Sequence, residues 1–246
     1  MSGSGRAAAA PTIGWAMGLE VKQLENRPGM GLVHPLAGAA LDRLISRAQQ
    51  AGFQLAVASG HRSYQRQLAI FNDKFSGQRP VTSDRGQPLS RDAYDDSTWL
   101  HAVLRYSALP GTSRHHWGTD FDIWDPGSVG GDYRLALEVQ EYTGDGPFAA
   151  LSDWLSQLIS QDDAEGFYRP YTGKVGGVAA EPWHLSHRPT AQPFYPLVTD
   201  TALWALWSAE ADPHAGIDQR EPLTALECVG AELNEVLQRY VRAYYD

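Results

Sequence analysis

The chain has 246 residues, 43% of them apolar, and a formal net charge of −9. That length fits one large domain or a domain with an appendage, and the acidic balance excludes a general nucleic-acid binder, which would carry a basic face. No apolar run approaches the ~20 residues of a membrane-spanning helix, and the single cysteine, Cys228, excludes a disulfide framework and any multi-cysteine zinc site.

The Gly/Ser/Ala-rich start contains no apolar segment of the kind a secretory signal has, and residues 1–30 are expected to form a flexible N-terminal segment. Leu41, Leu44 and Ile45 recur at helical spacing between Leu36 and Gln50, with Gly52 closing that helix. Phe53 to Ala58 alternates and predicts a strand. Tyr64 to Lys74 predicts a helix with Leu68 and Phe71 inward. Residues 76–91, rich in Gly, Pro, Ser, Asp and Arg, predict a long surface loop. Asp92 to Ala108 predicts a helix, broken by Pro110-Gly111.

Further on, Phe121 to Trp124 predicts a short strand and Pro126 to Asp132 a turn. Phe148 to Ile159 is a second amphipathic helix. Phe167 to Tyr171 and Trp183 to Ser186 predict strands joined by a tight turn at Gly173 to Gly177. Thr201 to Ala209 and Pro222 to Tyr245 are helical in pattern. Strands and helices mix without regular βαβ alternation. That predicts an α+β fold, a small antiparallel sheet flanked by helices, with a helical extension over 193–246. Trp154, Trp204 and Trp207 are expected in the core, Cys228 is expected as a buried thiol, and Asp162 to Glu165 as a solvated helix end.

The chemistry concentrates in Ser113-Arg114-His115-His116-Trp117-Gly118-Thr119-Asp120-Phe121-Asp122. His115 and Asp122 flank Gly118, which permits a turn that brings them together. Two imidazoles and a carboxylate suit a catalytic zinc with one position left open. Glu181 stands three residues before His184, close enough to move protons beside such a metal. Each feature alone has an ordinary explanation as a turn, a cap or an ion pair.

Together, Ser113-x-His115-x-x-Gly118-x-Asp120-x-Asp122 and Glu181-x-Trp183-His184 resemble the paired motifs SxHxxGxAxD and ExWH. These belong to the VanY-type D-alanyl-D-alanine carboxypeptidases of the M15 zinc peptidases. Ser59-Gly60-His61-Arg62-Ser63-Tyr64-Gln65-Arg66-Gln67 resembles the SGYRSxxxQ segment of the same family, so three motifs stand in the family's order. The resemblance implies a LAS/hedgehog-type fold, with a catalytic domain over 31–192. It implies one zinc per chain on His115, Asp122 and His184, Glu181 as general base and acid, and Arg62 on the substrate's terminal carboxylate or on the developing oxyanion. Gln67 and Ser113 match positions near the substrate.

Asp120 stands where the family has alanine, His61 where tyrosine is common, and His187 where a tyrosine often follows the last motif. Asp120 would share a strand face with Asp122 and is expected to support a ligand histidine, with service as an alternative metal ligand as the second reading. Trp183 is expected to anchor the site and His187 to stand in its wall. His116, His34, His101 and His214 are expected to be structural. The function so implied is hydrolysis of peptidoglycan stem peptides in the cell envelope or periplasm, releasing C-terminal D-alanine. Alternatives within the fold are an L,D-carboxypeptidase or an L-Ala-D-Glu type endopeptidase. A non-catalytic zinc-containing peptidoglycan-binding module is the alternative of another class.

Overall fold

The computed structural model of the protein describes residues 10–211 and 221–245; the Gly/Ser-rich start (1–9) and His214 lie outside them. Helix α1 (Ile13–Ala16) is capped by the Thr12 hydroxyl and followed by a hairpin of β1 (Glu25–Arg27) and β2 (Gly31–Val33). The stretch 10–30 is thus built into the fold, against the expectation of a flexible segment. Trp15 is 1% exposed, meets Phe194 edge-on at 4.9 Å and stacks on His34 at 5.6 Å. A single helical turn is too short to show periodicity, so its sequence carried no helix signal.

Helix α2 (Pro35–Gln50) begins where His34 Nδ1 accepts the Leu36 N–H at 3.2 Å and Pro35 occupies the first turn. Its apolar stripe of Ala37, Leu41, Leu44 and Ala48 is buried. Strand β3 (Ala56–Ser59) leads to α3 (Tyr64–Phe75), capped by Ser63. The loop expected over 76–91 contains a hairpin, β4 (Val81–Thr82) with β5 (Pro88–Leu89), whose strands are too short for alternation to reveal. The helix expected from Asp92 starts only at α4 (Asp96–Leu104). Asp95 takes the cap by accepting the Thr98 N–H at 2.8 Å, and Arg91–Ala93 forms a separate 3-10 turn.

Strand β6 (Asp120–Trp124), helix α5 (Ala149–Ser160) and strands β7 (Phe167–Tyr168) and β8 (His184–His187) complete the central region. The four-stranded antiparallel sheet runs β3-β6-β8-β7. Strands β7 and β8 pair as expected, but the tight hairpin predicted between them is a longer excursion, 169–183. Gly173 and Gly176 take positive φ within it. Then come α6 (Arg188–Ala191), α7 (Asp200–Ala211) and α8 (Leu226–Tyr240).

Alternation along β6 and β8 divides the sheet into two faces. Phe121, Ile123 and Leu185 are 0% exposed and join Leu41, Leu44, Leu151 and Leu155 in a core between the sheet and helices α2 and α5. Asp120, Asp122, His184 and Ser186 point to the opposite face. A second core, built from α3, α4, α7 and α8, lies on that side and takes in Val229, Val236, Leu237 and Tyr244. The 193–246 extension therefore shares its apolar interior with the catalytic-domain helices. Trp207 is fully buried as expected, whereas Trp204 is 42% exposed and Cys228 only half-buried. Helical spacing names a stripe but not which of its members reaches the core.

Replacing Trp15 by alanine is expected to destabilise the protein by about 3–5 kcal/mol, read as a lower denaturant midpoint with the sheet otherwise intact. A change within about 0.5 kcal/mol, the range of an exposed surface substitution, would mean the N-terminal stretch does not belong to the core.

Candidate active site

Ser113 precedes a 3-10 turn, Arg114–Trp117, and Gly118 ends it in the left-handed region at φ 72°. A side chain at Gly118 would also collide with Leu24 Cδ2 at 2.7 Å and the His34 backbone nitrogen at 2.9 Å, so glycine is required on both counts. The turn delivers His115 over the polar face of the sheet. There the β6–β8 register sets Asp122 directly opposite His184.

Each imidazole is fixed from behind. His115 Nδ1 lies 2.8 Å from the Gly60 carbonyl oxygen, which can only accept. That nitrogen therefore carries the proton and Nε2 presents its lone pair, 3.4 Å from Asp122 Oδ2. His184 Nε2 lies 2.9 Å from Asp120 Oδ1, which leaves Nδ1 facing inward, 3.2 Å from Asp122 Oδ1. Burial opposes a charged His184, but the Asp120 and Asp122 carboxylates outweigh it and hold the imidazole up at about 9.

One ligand atom from each of His115, Asp122 and His184 lies within 4.8 Å of the others. Ligand atoms around a tetrahedral zinc with bonds near 2.0–2.1 Å stand about 3.3 Å apart, and each imidazole comes that close to the Asp122 carboxylate, His115 Nε2 at 3.4 Å from Oδ2 and His184 Nδ1 at 3.2 Å from Oδ1. Asp122 Oδ1 is buried and no hydrogen bond satisfies it. A buried carboxylate with an imidazole against each oxygen is poorly placed unless positive charge sits among them, either the proton held on His184 or a cation that replaces it. The donor set fits zinc.

Asp120, the departure from alanine, is fully buried and bridges His184 to Arg114. Arg114 Nε donates to Asp120 Oδ1 at 2.9 Å, and Thr119 Oγ1 donates to Oδ2 at 2.6 Å. Burial would raise the Asp120 pKa; Arg114 and then His184 overcome this and hold it well below the usual carboxylate range. Arg114 is itself 3% exposed. It donates to Ser186 Oγ at 2.6 Å, Tyr168 at 2.9 Å, Tyr195 at 3.2 Å and the Tyr244 carbonyl at 3.3 Å. A buried aspartate where the family has alanine calls for a nearby cation, and Arg114, six residues before Asp120, is that cation.

Glu181 opens on the same cleft, its Oε2 3.5 Å from His184 Nδ1, and burial pushes its carboxyl up to about 7. Arg62 faces it across the cleft. Its Nη1 donates to Gln67 Oε1 at 2.9 Å, Nη2 reaches Ser59 Oγ at 3.4 Å, and it meets no carboxylate. Gln67 is fully buried, donates to the Ala108 carbonyl at 2.7 Å and stands behind Arg62 rather than on the cleft wall. Its expected contact with substrate is thus replaced by support of the guanidinium.

Ser113 and Trp183 line the cleft, whose volume is about 370 Å³. His116 accepts the Gly111 N–H at 3.2 Å and donates from Nδ1 to the Arg62 carbonyl at 2.6 Å, so it is structural as expected. His34 caps α2, and His101 bonds Tyr240 and Glu232. His187 is a correction: it lies on the other face of β8, bonded to Thr190 and packed on Phe167, away from the cleft. Its odd spacing from His184 sends it there. Tyr171, unremarked in the sequence, packs edge-on against His184 at 4.9 Å and lines the cleft.

Residues 31–190 match the family described as VanY: D-alanyl-D-alanine carboxypeptidase. An uncharacterized protein of Haemophilus influenzae is 28% identical over 135 residues, covering 54% of this chain and 92% of that protein. Among solved structures, VanYB in complex with D-alanine-D-alanine is similar at 21% identity, a TM-score of 0.49, and coverage of 72% of this chain and 84% of that one. The LdcB LD-carboxypeptidase is similar at 25% identity and a TM-score of 0.44, covering 66% of this chain and 62% of that one.

Asp120→Ala is expected to weaken zinc binding by about 10–100-fold, measured by competition with a chromophoric chelator, and Asp120→Asn to do so less. Unchanged affinity in both would remove Asp120 from the support of His184. Zinc must displace the proton from His184, whose pKa is raised to about 9. Apparent affinity is therefore expected to climb by about tenfold per pH unit from neutral pH toward 9.

Proposed function

The chain belongs to the VanY D-alanyl-D-alanine carboxypeptidase family, a family of peptidoglycan peptidases, and on that premise we propose that it is a zinc-dependent D,D-carboxypeptidase releasing C-terminal D-alanine from stem peptides. The reading rests on one arrangement: Glu181 and Arg62 face the His115–Asp122–His184 cluster across a single cleft. Its place of work would be the cell envelope, where that substrate is. Among the described residues no helix is long and apolar enough to cross a membrane.

His115, Asp122 and His184 would hold the zinc, which when bound supplies Lewis acidity at the scissile carbonyl and acidifies water. The remaining work falls to the chain itself. Arg62 retains donors that its neutral partners Gln67 and Ser59 do not use. A guanidinium so placed takes the terminal carboxylate in a bidentate grip and fixes the last peptide bond in the cleft. Glu181, held near neutrality by burial, accepts the proton of the attacking water and returns it to the leaving amine nitrogen as the C–N bond breaks. Asp120 and the Gly60 carbonyl keep the two imidazoles aimed inward. Trp183, packed on Tyr142 at 5.6 Å, anchors the strand end that carries Glu181 and His184.

The retained Glu181 favours an enzyme over a non-catalytic binding module, because a binder has no use for a base beside the metal. The decisive measurement is mass spectrometry of a stem pentapeptide and a tetrapeptide incubated with the protein. Loss of one alanine from the pentapeptide is expected. Loss from the tetrapeptide alone would make it an L,D-carboxypeptidase, and two multi-residue fragments an endopeptidase. Glu181→Gln is expected to lower kcat by about 10²–10⁴-fold while zinc content stays unchanged. Unaffected hydrolysis would overturn the role given to Glu181.

A further inference from the structure

The α3 wall of the cleft carries more positive charge than one terminal carboxylate needs. Gln67, which holds Arg62, lies on α3; Ile70 and Lys74 follow on the same helix and line the cleft. Lys74 Nζ donates to Ser107 Oγ at 2.7 Å, one residue before the Ala108 carbonyl that anchors Gln67. Arg79, in the turn after α3, lines the same cleft, and its backbone N–H is fixed on the Asp73 carbonyl at 2.8 Å.

None of these three cations meets a carboxylate. Arg62 bonds to an amide and a hydroxyl, and Lys74 to a hydroxyl. The Arg79 side chain makes no hydrogen bond or ion pair among the described residues. Asp84 also lines this region, but Arg105 occupies both of its oxygens, at 3.0 and 2.6 Å, and Tyr106 adds a contact at 3.3 Å. The remaining wall there includes Thr82 and Ser83. Burial pushes the Lys74 amine down to about 8, Arg79 pushes the same way, and the Glu181 carboxylate works against both.

A chain with 29 acidic and 20 basic side chains had carboxylates enough to pair this wall, yet none is hydrogen-bonded to Lys74 or Arg79, and Glu181 acts on Lys74 only through space. A half-buried ammonium with no carboxylate bonded to it is unfavourable, and a guanidinium beside it makes matters worse. A ligand that brings an anion relieves both.

We propose that Lys74 and Arg79 form a second carboxylate subsite, so that the enzyme prefers peptides with an acidic side chain near the scissile bond in addition to the free C-terminus. This rests on the peptidase reading above, with Arg62 on the terminal carboxylate. Gln67 and Lys74 are seven residues apart on α3, about 10 Å along the helix axis. An extended chain covers that distance in about three residues. The substrate's acidic side chain and the Lys74 stem both reach into that span, so the second carboxylate belongs to the released residue or to the residue just before the cut.

Two matched peptide pairs separate these sources, one with Glu or Gln as the released residue and one with Glu or Gln just before the cut. Wild type is expected to favour the acidic member of one pair by about tenfold in kcat/KM, mainly through KM, as one charge-assisted hydrogen bond would give. In Lys74→Met that preference is expected to fall to near unity, with hydrolysis of the carboxamide member retained. Arg79→Gln, an exposed position, is expected to reduce the preference in part and serves as the second variant if Lys74→Met does not fold. The pair that shows the effect identifies the source. Equal acid-to-amide ratios in wild type and both variants would overturn the subsite and leave the peptidase reading standing. Failure of wild type to cleave any of the four peptides would overturn that reading and the subsite with it.

Discussion

The site depends on the register between β6 and β8. Asp122 pairs directly with His184, and Asp120 with Ser186. Directly opposed residues on antiparallel strands hold their side chains about 4.5–5.5 Å apart. This brings a carboxylate from one end of the chain's central motif to a histidine some sixty residues later without any long side chain having to reach. A slip of one residue would turn Asp120, Asp122 and His184 into the apolar core and Phe121 out of it. The apolar side of the sheet therefore enforces the polar side: Phe121, Ile123 and Leu185, all fully buried, cannot be exposed cheaply.

The second constraint is the buried chain of charge from Arg114 through Asp120 to His184. Isolated, either ion would be costly in this interior; hydrogen-bonded on nearly every side, the chain is tolerated and rigid. It also ties the C-terminal extension to the site. The Tyr244 carbonyl accepts from Arg114 at 3.3 Å, and the Tyr195 hydroxyl, whose ring stacks on Tyr245, accepts from it at 3.2 Å. The last helices thus help position a residue that in turn positions a metal ligand. They act as part of the catalytic body rather than as an appendage.

Much of the site was legible because its chemistry is local. The spacing of His115, Gly118 and Asp122, the three-residue step from Glu181 to His184, and Arg62 in its own short motif all survive translation into structure. The ligand atoms converge and Glu181 and Arg62 share their cleft. The long helices were legible too, since periodicity over three or more turns averages out exceptions. Short elements were not: α1 and the β1–β2 and β4–β5 hairpins span too few residues to carry a period.

Which residue types meet, and in what order, is written locally, because turn glycines, alternation and cap residues act over a few positions of chain. What stands behind them came from packing in three dimensions. Gln67 supports Arg62 instead of facing the cleft, His187 lies on the far face of its strand, and Arg114 neutralises Asp120. It also left Lys74 and Arg79 with no carboxylate hydrogen-bonded to them among the described residues. These are matters of burial and of partners distant in sequence. The free energy of a buried charge is set by what surrounds it in space, and no local spacing encodes that.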